Sequence, residues 1–148
     1  MPWERCHLLV VEDNPAEVRL IEKLLLASGH KTRVTVARDG EKAMEYLHRH
    51  VGAIGAGRPD LILLDLNLPK MSGSEVLVQI RAEQNLRNIP VVILTSSANP
   101  EDITRCYDQC VNSYITKPLE FSQYASVMET IMQFWMKTAQ LPRRPHYA

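Results

Sequence analysis

Short apolar runs alternate with longer segments of helical periodicity along most of the 148-residue chain. Runs such as LILL (61–64) lack the in-out alternation of a half-exposed strand, which is typical of strands buried on both faces of a parallel sheet. The predicted strands are His7 to Val11, the region of Val34 and Val36 with a neighbouring threonine, Leu61 to Leu64, Val91 to Thr95, and Ser113 to Thr116.

Helix-start and helix-stop signals separate these strands. Asn14-Pro15 and Asn99-Pro100 each supply a capping side chain followed by proline at the first helical position, and Gly29 is a stop signal. The predicted helices run from Pro15 to Gly29, from about Glu41 to Arg49, from Ser74 to about Glu83, from Pro100 onwards, and from about Glu120 to Lys137. Five βα units in series predict an α/β fold, a doubly wound five-stranded parallel sheet with right-handed crossovers.

The last predicted helix has a wider apolar face than packing on one sheet requires. One apolar stripe consists of Phe121, Ala125, Met128, Met132 and Trp135, and a second stripe beside it consists of Tyr124, Val127, Ile131 and Phe134. If one stripe packs on the sheet, the other is free to form an interface. We expect a symmetric homodimer through the fourth helix, fifth strand, fifth helix and C-terminal extension, with the second stripe at the interface. The alternative is that the tail folds back over this stripe.

Two segments are predicted to lie outside the packed core. Val51 to Pro59 is rich in glycine, and the last ten residues, AQLPRRPHYA, are rich in proline and basic residues. We therefore expect one domain over residues 5–137 and a C-terminal extension over residues 138–148, with no effector domain.

Composition narrows the classes of function. Lys and Arg number 17 and Asp and Glu also number 17, and this balance argues against a nucleic-acid binder or a membrane-surface protein held by bulk charge. Arg143-Arg144 is too short a basic run to indicate nucleic acid. No apolar run approaches the length of a membrane span and no signal peptide is recognisable, so a cytoplasmic location is expected.

Neither the cysteines nor the histidines show the spacing of a metal site. Cys6, Cys106 and Cys110 are an odd number, and we interpret them as reduced structural thiols, the last two sharing one helix face. The histidines are interpreted as solvated or core residues: His7, His30, His48, His50 and His146.

Polar residues stand at the end of four of the predicted strands. Strand one is followed by Glu12-Asp13, strand three by Asp65, strand four ends at Thr95, and strand five is followed by Lys117. Because the carboxyl ends of parallel strands share one edge of the sheet, we expect these side chains to converge. Any one of them taken alone is equally well a turn residue.

Clustered carboxylates repel one another, and a divalent cation relieves that repulsion. An all-oxygen ligand set favours Mg²⁺ over zinc, with Glu12, Asp13 and Asp65 as ligands. The backbone carbonyl of Asn67 would complete the set. With a phosphate donor bound, Asp65 would be a nucleophile, Lys117 a positive charge for the phosphoryl oxygens, and Thr95 a hydrogen-bond donor.

The motifs VVEDN, LLDLNLPKMSG, VVILTSS and YITKP, in this order and spacing, resemble the receiver domain of two-component response regulators over about residues 5 to 137. The resemblance implies a flavodoxin-like strand order 2-1-3-4-5 and phosphoryl transfer from a histidine kinase to Asp65. It implies Mg²⁺ at Glu12, Asp13, Asp65 and Asn67, with Thr95 and Lys117 completing the site. Such proteins are signalling modules rather than enzymes.

The resemblance also implies two conformational features and a partner. Lys117-Pro118 would be a cis peptide, and Tyr114 would be an aromatic switch that moves when phosphate draws Thr95 inward; the alternative is a half-buried tyrosine beside its strand neighbours. The segments VGAIGAGRPDLILLDLNLP and DITRCYDQCVNSYITKP are similar to those of small cyanobacterial phytochrome-associated response regulators. A phytochrome-type histidine kinase is the partner that this similarity implies.

Other functions fit the residues less well. A phosphatase or dehalogenase of similar topology has a second acid two residues after its nucleophile, where this chain has Asn67, which cannot transfer a proton. A flavodoxin-like cofactor site would be repelled by Glu12 and Asp13 unless a metal intervened. An interaction module that works without phosphorylation remains open. Ser96 and Ser97 supply no carboxylate or amide to orient water, which predicts a long-lived phospho-Asp65.

Overall fold

The computed structural model describes residues 6–50 and 57–142, and within them each predicted strand and helix is present. The strands are β1 (Cys6–Val11), β2 (Thr32–Ala37), β3 (Leu61–Leu64), β4 (Val91–Thr95) and β5 (Ser113–Thr116). The helices are α1 (Pro15–Ala27), α2 (Gly40–His50), α3 (Gly73–Ala82), α4 (Pro100–Asp108) and α5 (Phe121–Gln133), and α5 continues as a π-helical turn over Phe134–Thr138. Most of the predicted glycine-rich loop (residues 51–56) and the end of the tail, with Arg143, Arg144 and His146, lie outside the described residues.

The strands form one parallel sheet in the order β2-β1-β3-β4-β5. This confirms the predicted fold class and strand order. The register aligns the carboxyl ends of the strands: Val11 lies opposite Leu64, and Thr95 lies opposite Thr116. Side chains that follow these ends therefore emerge at one edge of the sheet.

Alternate side chains of the central strands pack into two separate core layers, one on each face of the sheet. In β1, Leu9 and Val11 pack with α2, α3 and α4, whereas Leu8 and Val10 pack with α1 and α5. Both faces of the sheet are thus covered by helices, which explains why the central strands are continuous apolar runs. No helix in the described ranges is long and apolar enough to cross a membrane.

The helix caps appear where the sequence predicts them. The Asn14 side chain accepts hydrogen bonds from the backbone amides of Ala16 (2.9 Å) and Glu17 (3.3 Å), and Asn99 does the same for Glu101 (2.9 Å). Each cap satisfies amides that have no partner within the helix. As a result α1 begins at Pro15, with only the cap Asn14 between it and the acidic pair that follows β1.

The predicted dimer stripe on α5 is only partly exposed. Tyr124 and Ile131 are buried in the core layer beneath α5, Val127 packs against that layer, and Phe134 is 48% exposed. The expectation that this whole stripe is free is therefore wrong for Tyr124 and Ile131. The reason is that α5 straddles the layer, so each stripe contributes buried residues, while Phe121 from the other stripe is 64% exposed.

One cysteine also departs from its predicted position. Cys106 is buried in α4, but Cys110 lies beyond the end of that helix, is exposed, and has a positive φ of 66°. A left-handed residue ends a helix rather than continuing it. The two thiols therefore do not share a helix face.

Candidate functional site

The four strand ends bring the predicted site residues together. Glu12 and Asp13 follow β1, Asp65 follows β3, Thr95 ends β4, and Lys117 follows β5. Backbone hydrogen bonds continue past the strands, from Asp65 N to Val11 O (3.1 Å) and from Lys117 N to Thr95 O (2.7 Å). These bonds hold the site residues at fixed positions on the sheet edge.

Three carboxylates at this edge form a group with the dimensions of a metal site. Glu12, Asp13 and Asp65 each offer a ligand oxygen, and these oxygens lie within 4.8 Å of one another. Among the described residues it is the only such group of three or more His, Cys, Asp or Glu side chains. Glu12 and Asp65 are buried while Asp13 is exposed, so the group opens to solvent on one side.

A lysine ammonium binds the buried carboxylates. Lys117 Nζ donates hydrogen bonds to Glu12 Oε1 (2.7 Å) and Asp65 Oδ2 (2.8 Å). It also forms an ion pair with Glu17 Oε2 at 2.6 Å. Glu17 was not among the predicted site residues, because an acidic residue in the first turn of a helix is explained by the helix dipole alone.

The pKa shifts in the site arise because Glu12 and Asp65 share the single ammonium of Lys117. Burial raises the pKa of the Glu12 carboxyl to about 7, and the charge of Asp65 adds to the rise, although the hydrogen bond from Lys117 opposes it. Burial also acts to raise the pKa of Asp65, but its hydrogen bond and ion pair with Lys117 outweigh burial and lower it. Of the two carboxyl groups, Glu12 and Asp65, it is therefore Asp65 that is ionised.

The charge of Lys117 is retained for the same reason. Burial favours its neutral form, but the carboxylates of Asp65, Glu12 and Glu17 outweigh burial and raise the pKa of the ammonium. Even so, carboxylates outnumber the ammonium at this edge. The excess of hard oxygen ligands and negative charge fits a hard divalent cation.

Thr95 provides a buried hydroxyl beside the carboxylates. Its side chain is fully buried, and its hydroxyl lies close enough to help lower the pKa of Asp65. Nevertheless, the hydroxyl meets no partner in hydrogen-bond geometry in the described structure. A buried hydroxyl without a partner is costly, so Thr95 is suited to donate to an incoming oxygen.

The predicted switch residue is linked to the loop that follows Thr95. The Tyr114 hydroxyl donates to the backbone carbonyl of Ser97 at 2.8 Å, and the ring packs against the core layer of α2, α3 and α4. Ser97 in turn donates to Asp102 Oδ2 at 2.6 Å. A shift of this loop would therefore change the contacts of Tyr114.

The cis peptide expected at Lys117-Pro118 is absent. Every peptide bond in residues 6–50 and 57–142 is trans. The expectation is wrong, and a physical reason is available: trans is the lower-energy isomer before proline by about 0.5–1 kcal/mol, and Lys117 reaches both carboxylates from the trans bond.

The turn after Asp65 depends on close approach of the backbone. The Gly73 amide donates to Leu66 O at 3.0 Å, and a Cβ at Gly73 would overlap the carbonyl oxygen of Asp65. Lys70 in the same turn has a positive φ of 68°. The amide of Asn67 donates to Asp65 Oδ1 at 3.2 Å, which orients the carboxylate.

A protein-family model, that of the response regulator receiver domain, matches residues 8–129. The chain belongs to the response regulator receiver family. The matched range contains β2 to β5, all but the first two residues of β1, and the predicted acidic, hydroxyl and lysine residues of the site, so the family assignment and the geometry refer to the same part of this receiver domain.

Known relatives cover nearly the whole chain. The receiver domain is 43% identical over 129 residues to the probable methanogenesis regulatory protein FilR2 of Methanothrix harundinacea, covering 87% of this chain and 83% of that protein. It is 40% identical over 135 residues to response regulator Rcp1 of Synechocystis sp., covering 91% and 92%. The crystal structure of the phosphorylated cyanobacterial phytochrome response regulator RcpA is 46% identical, with a TM-score of 0.87 and coverage of 94% and 99%.

A solved structure of a relative also indicates which kind of ion a group of carboxylates like this one binds. The crystal structure of Rcp1 in its Mn²⁺-bound form aligns with a TM-score of 0.86 at 39% identity, covering 93% of this chain and 99% of that one. Receiver domains bind a divalent metal at their acidic pocket, and the carboxylate group found here has the matching composition.

Proposed function

We propose that this receiver domain accepts a phosphoryl group on Asp65 from the phosphohistidine of a histidine kinase. The observation that carries the proposal is the position of Asp65, ionised and hydrogen-bonded to Lys117 at 2.8 Å inside a cluster of carboxylates. Glu12, Asp13, Asp65 and the backbone carbonyl of Asn67 would hold Mg²⁺. The bound cation would reduce the repulsion between the carboxylates and the phosphate.

The residues of the chain divide the reaction between them. An Asp65 carboxylate oxygen forms a bond to phosphorus while the bond from phosphorus to the donor imidazole nitrogen breaks, leaving the electron pair on the imidazole. The Thr95 hydroxyl donates to one phosphoryl oxygen and the Lys117 ammonium binds another. The product is an acyl phosphate on Asp65, and the role is signalling rather than turnover of a substrate.

The direct test is incubation of the protein with Mg²⁺ and a small phosphodonor, followed by mass analysis. We expect one added phosphoryl group on the native chain and none on Asp65→Asn. Asp108→Asn, which removes an exposed carboxylate on α4, is the matched control and should be labelled like the native chain. Equal labelling of Asp65→Asn would overturn the proposal by placing the phosphoryl group on another residue, and a native chain that takes up no label would favour an interaction module that works without phosphorylation.

We propose a phytochrome-type histidine kinase as the donor. The similarity to RcpA and Rcp1 supports this choice, whereas the similarity to FilR2 points to a different kind of regulatory system. Phosphotransfer from a purified phytochrome kinase should be at least tenfold faster than from a kinase without a light-sensing domain. Equal rates from both kinases would remove the basis for this partner.

Phosphorylation would be transmitted through Tyr114 to a surface that dimerises. As Thr95 engages the phosphoryl group, the loop at Ser97 shifts and the hydrogen bond from Tyr114 to Ser97 is lost. We propose that the dimer forms through α4, β5, α5 and the extension over residues 138–148. Phe134 and Val127 remain the candidate contacts from the predicted stripe.

A further inference from the structure

Glu17 contacts the site lysine at short range but with poor hydrogen-bond geometry. Its Oε2 atom lies 2.6 Å from Lys117 Nζ, yet this oxygen is buried and meets no partner in hydrogen-bond geometry among the described residues. Glu12 and Asp65, in contrast, accept aligned hydrogen bonds from the same ammonium. The Glu17 contact is therefore short but poorly directed, and it still helps Asp65 and Glu12 to raise the pKa of Lys117.

The two carboxylates that accept aligned hydrogen bonds from Lys117 also belong to the group of three carboxylates with the dimensions of a metal site. Glu12 and Asp65 are members of that group, and Glu17 is not. A divalent cation held by Glu12 would compete with Lys117 for that carboxylate, so Lys117 would lose part or all of this acceptor. The lysine side chain is only 8% exposed, and a buried ammonium that lacks acceptors is strongly unfavourable.

Glu17 is anchored next to Lys117 by the start of α1. Its backbone amide donates to the Asn14 cap at 3.3 Å, which anchors the first turn of α1 beside the site. The buried hydroxyl of Tyr124 on α5 lies within electrostatic reach of Glu17, since burial and then the charge of Glu17 raise the pKa of Tyr124. The helix dipole would explain an acidic residue in the first turn, but not the burial of its oxygen against Lys117.

We propose that Glu17 is a positioning residue that accepts the hydrogen bond of Lys117 when the metal takes Glu12, and so keeps the ammonium beside Asp65 for the phosphoryl group. The inference rests on the proposed function, because it assigns Lys117 to the phosphoryl oxygens. It implies that Glu17 promotes metal binding indirectly, because Glu17 offers Lys117 an acceptor in place of the Glu12 carboxylate that the metal would occupy.

The test is a calorimetric Mg²⁺ titration of the full chain with a double-mutant cycle. Glu17→Gln should raise the Mg²⁺ dissociation constant about threefold or more, as for residues in one ion-pair network. In a Lys117→Met background the same change should leave the Mg²⁺ dissociation constant almost unchanged, because there is no ammonium that needs a replacement acceptor. Glu22→Gln removes an exposed carboxylate from the same helix and controls for general charge loss. An equal effect of Glu17→Gln in both backgrounds, or none in either, would overturn the proposal.

A second measurement observes the lysine directly and does not depend on phosphorylation. The ¹⁵N-detected ammonium signal of Lys117 should persist in Mg²⁺-saturated native protein and disappear by fast exchange in Mg²⁺-saturated Glu17→Gln. Persistence in the variant would refute the role of Glu17. Acyl phosphate formation should slow in Glu17→Gln at limiting Mg²⁺ and recover at saturating Mg²⁺. If native Asp65 takes up no phosphoryl group, the proposed function fails, while the ammonium signal and the cycle still decide on Glu17.

Discussion

At the scale of single residues, the chemistry of the site is a competition among carboxylates for one ammonium. Lys117 satisfies Asp65 well enough to lower its pKa, while the pKa of Glu12 rises to about 7 although it binds the same lysine. The difference arises because burial raises the pKa of Glu12 by more than the hydrogen bond and charge of Lys117 lower it. Glu12 is thus the carboxylate at which a proton would compete with a bound metal.

The first prediction concerns the pH dependence of metal binding. A raised pKa means that the metal-free site holds a proton on Glu12 below about pH 7 and must release it to bind Mg²⁺. The Mg²⁺ affinity should therefore fall about tenfold from pH 8 to pH 6, and proton release should be greatest at the lower pH. Calorimetry in two buffers of different ionisation enthalpy measures both. Glu12→Gln should lose this dependence, and a native affinity that is constant over this range would contradict the pKa assignment.

Tyr124 provides the second prediction. Its hydroxyl is buried and has no partner in the described structure, so Tyr124→Phe should raise the free energy of unfolding by about 1 kcal/mol in urea denaturation. Tyr46→Phe is the contrasting control, because the Tyr46 hydroxyl donates to Gly57 O at 2.8 Å and its loss should destabilise. Destabilisation by both changes would show that the Tyr124 hydroxyl has a partner in solution.

At the scale of structural elements, the turn between β3 and α3 determines where Asp65 lies. The turn closes through the bond from Gly73 N to Leu66 O at 3.0 Å, with the helix starting directly against the Asp65 backbone. Only glycine allows this approach, since any Cβ would meet the Asp65 carbonyl. The position of Asp65 is therefore coupled to the position of α3.

The third prediction follows from this coupling. Gly73→Ala should destabilise the fold, although glycine to alanine within a helix normally stabilises it by about 0.5–1 kcal/mol. It should also slow phosphorylation of Asp65, because the turn must open to admit the methyl group. Urea denaturation and phosphodonor kinetics measure the two effects. Val78→Ala on the exposed face of α3 is the control, and unchanged stability in Gly73→Ala would refute the argument.

The elements themselves could be predicted because their signals are local. Buried strands read as unbroken apolar runs, and Asn14-Pro15 marks a helix start by capping chemistry alone. The site at the strand ends could be predicted because parallel topology brings those ends to one edge, as Asp65 and Lys117 show. The contact of Glu17 with Lys117 could not, since it depends on the rotation of α1 against the sheet.

The orientation of α5 was unpredictable for a related reason. Helical periodicity shows two adjacent apolar stripes but not which part of them faces the sheet, and the structure buries Tyr124 and Ile131 together with Met128. The trans bond at Lys117-Pro118 likewise depends on how the chain leaves β5, which no local pattern specifies.

At the scale of the whole molecule, large apolar side chains remain exposed on the elements proposed to dimerise. Phe134 and Phe121 at the two ends of α5 are 48% and 64% exposed, and Tyr107 on α4 is 50% exposed. Large exposed aromatics of this kind are enriched at protein interfaces. Tyr114 lies in β5 between these helices, so a change in its contacts would reach the same surface.

The fourth prediction tests this surface by sedimentation. Phe134→Glu should convert the proposed dimer to a monomer, because a carboxylate would replace a half-exposed ring in an apolar contact. Leu26→Glu is the matched control: Leu26 is 84% exposed on α1, so the variant should sediment as the native chain does. Ile131→Glu is unsuitable, since a buried charge in the core layer would unfold the domain. A Phe134→Glu protein that still dimerises would place the interface elsewhere, and a native chain that sediments as a monomer with and without phosphorylation would exclude the dimer.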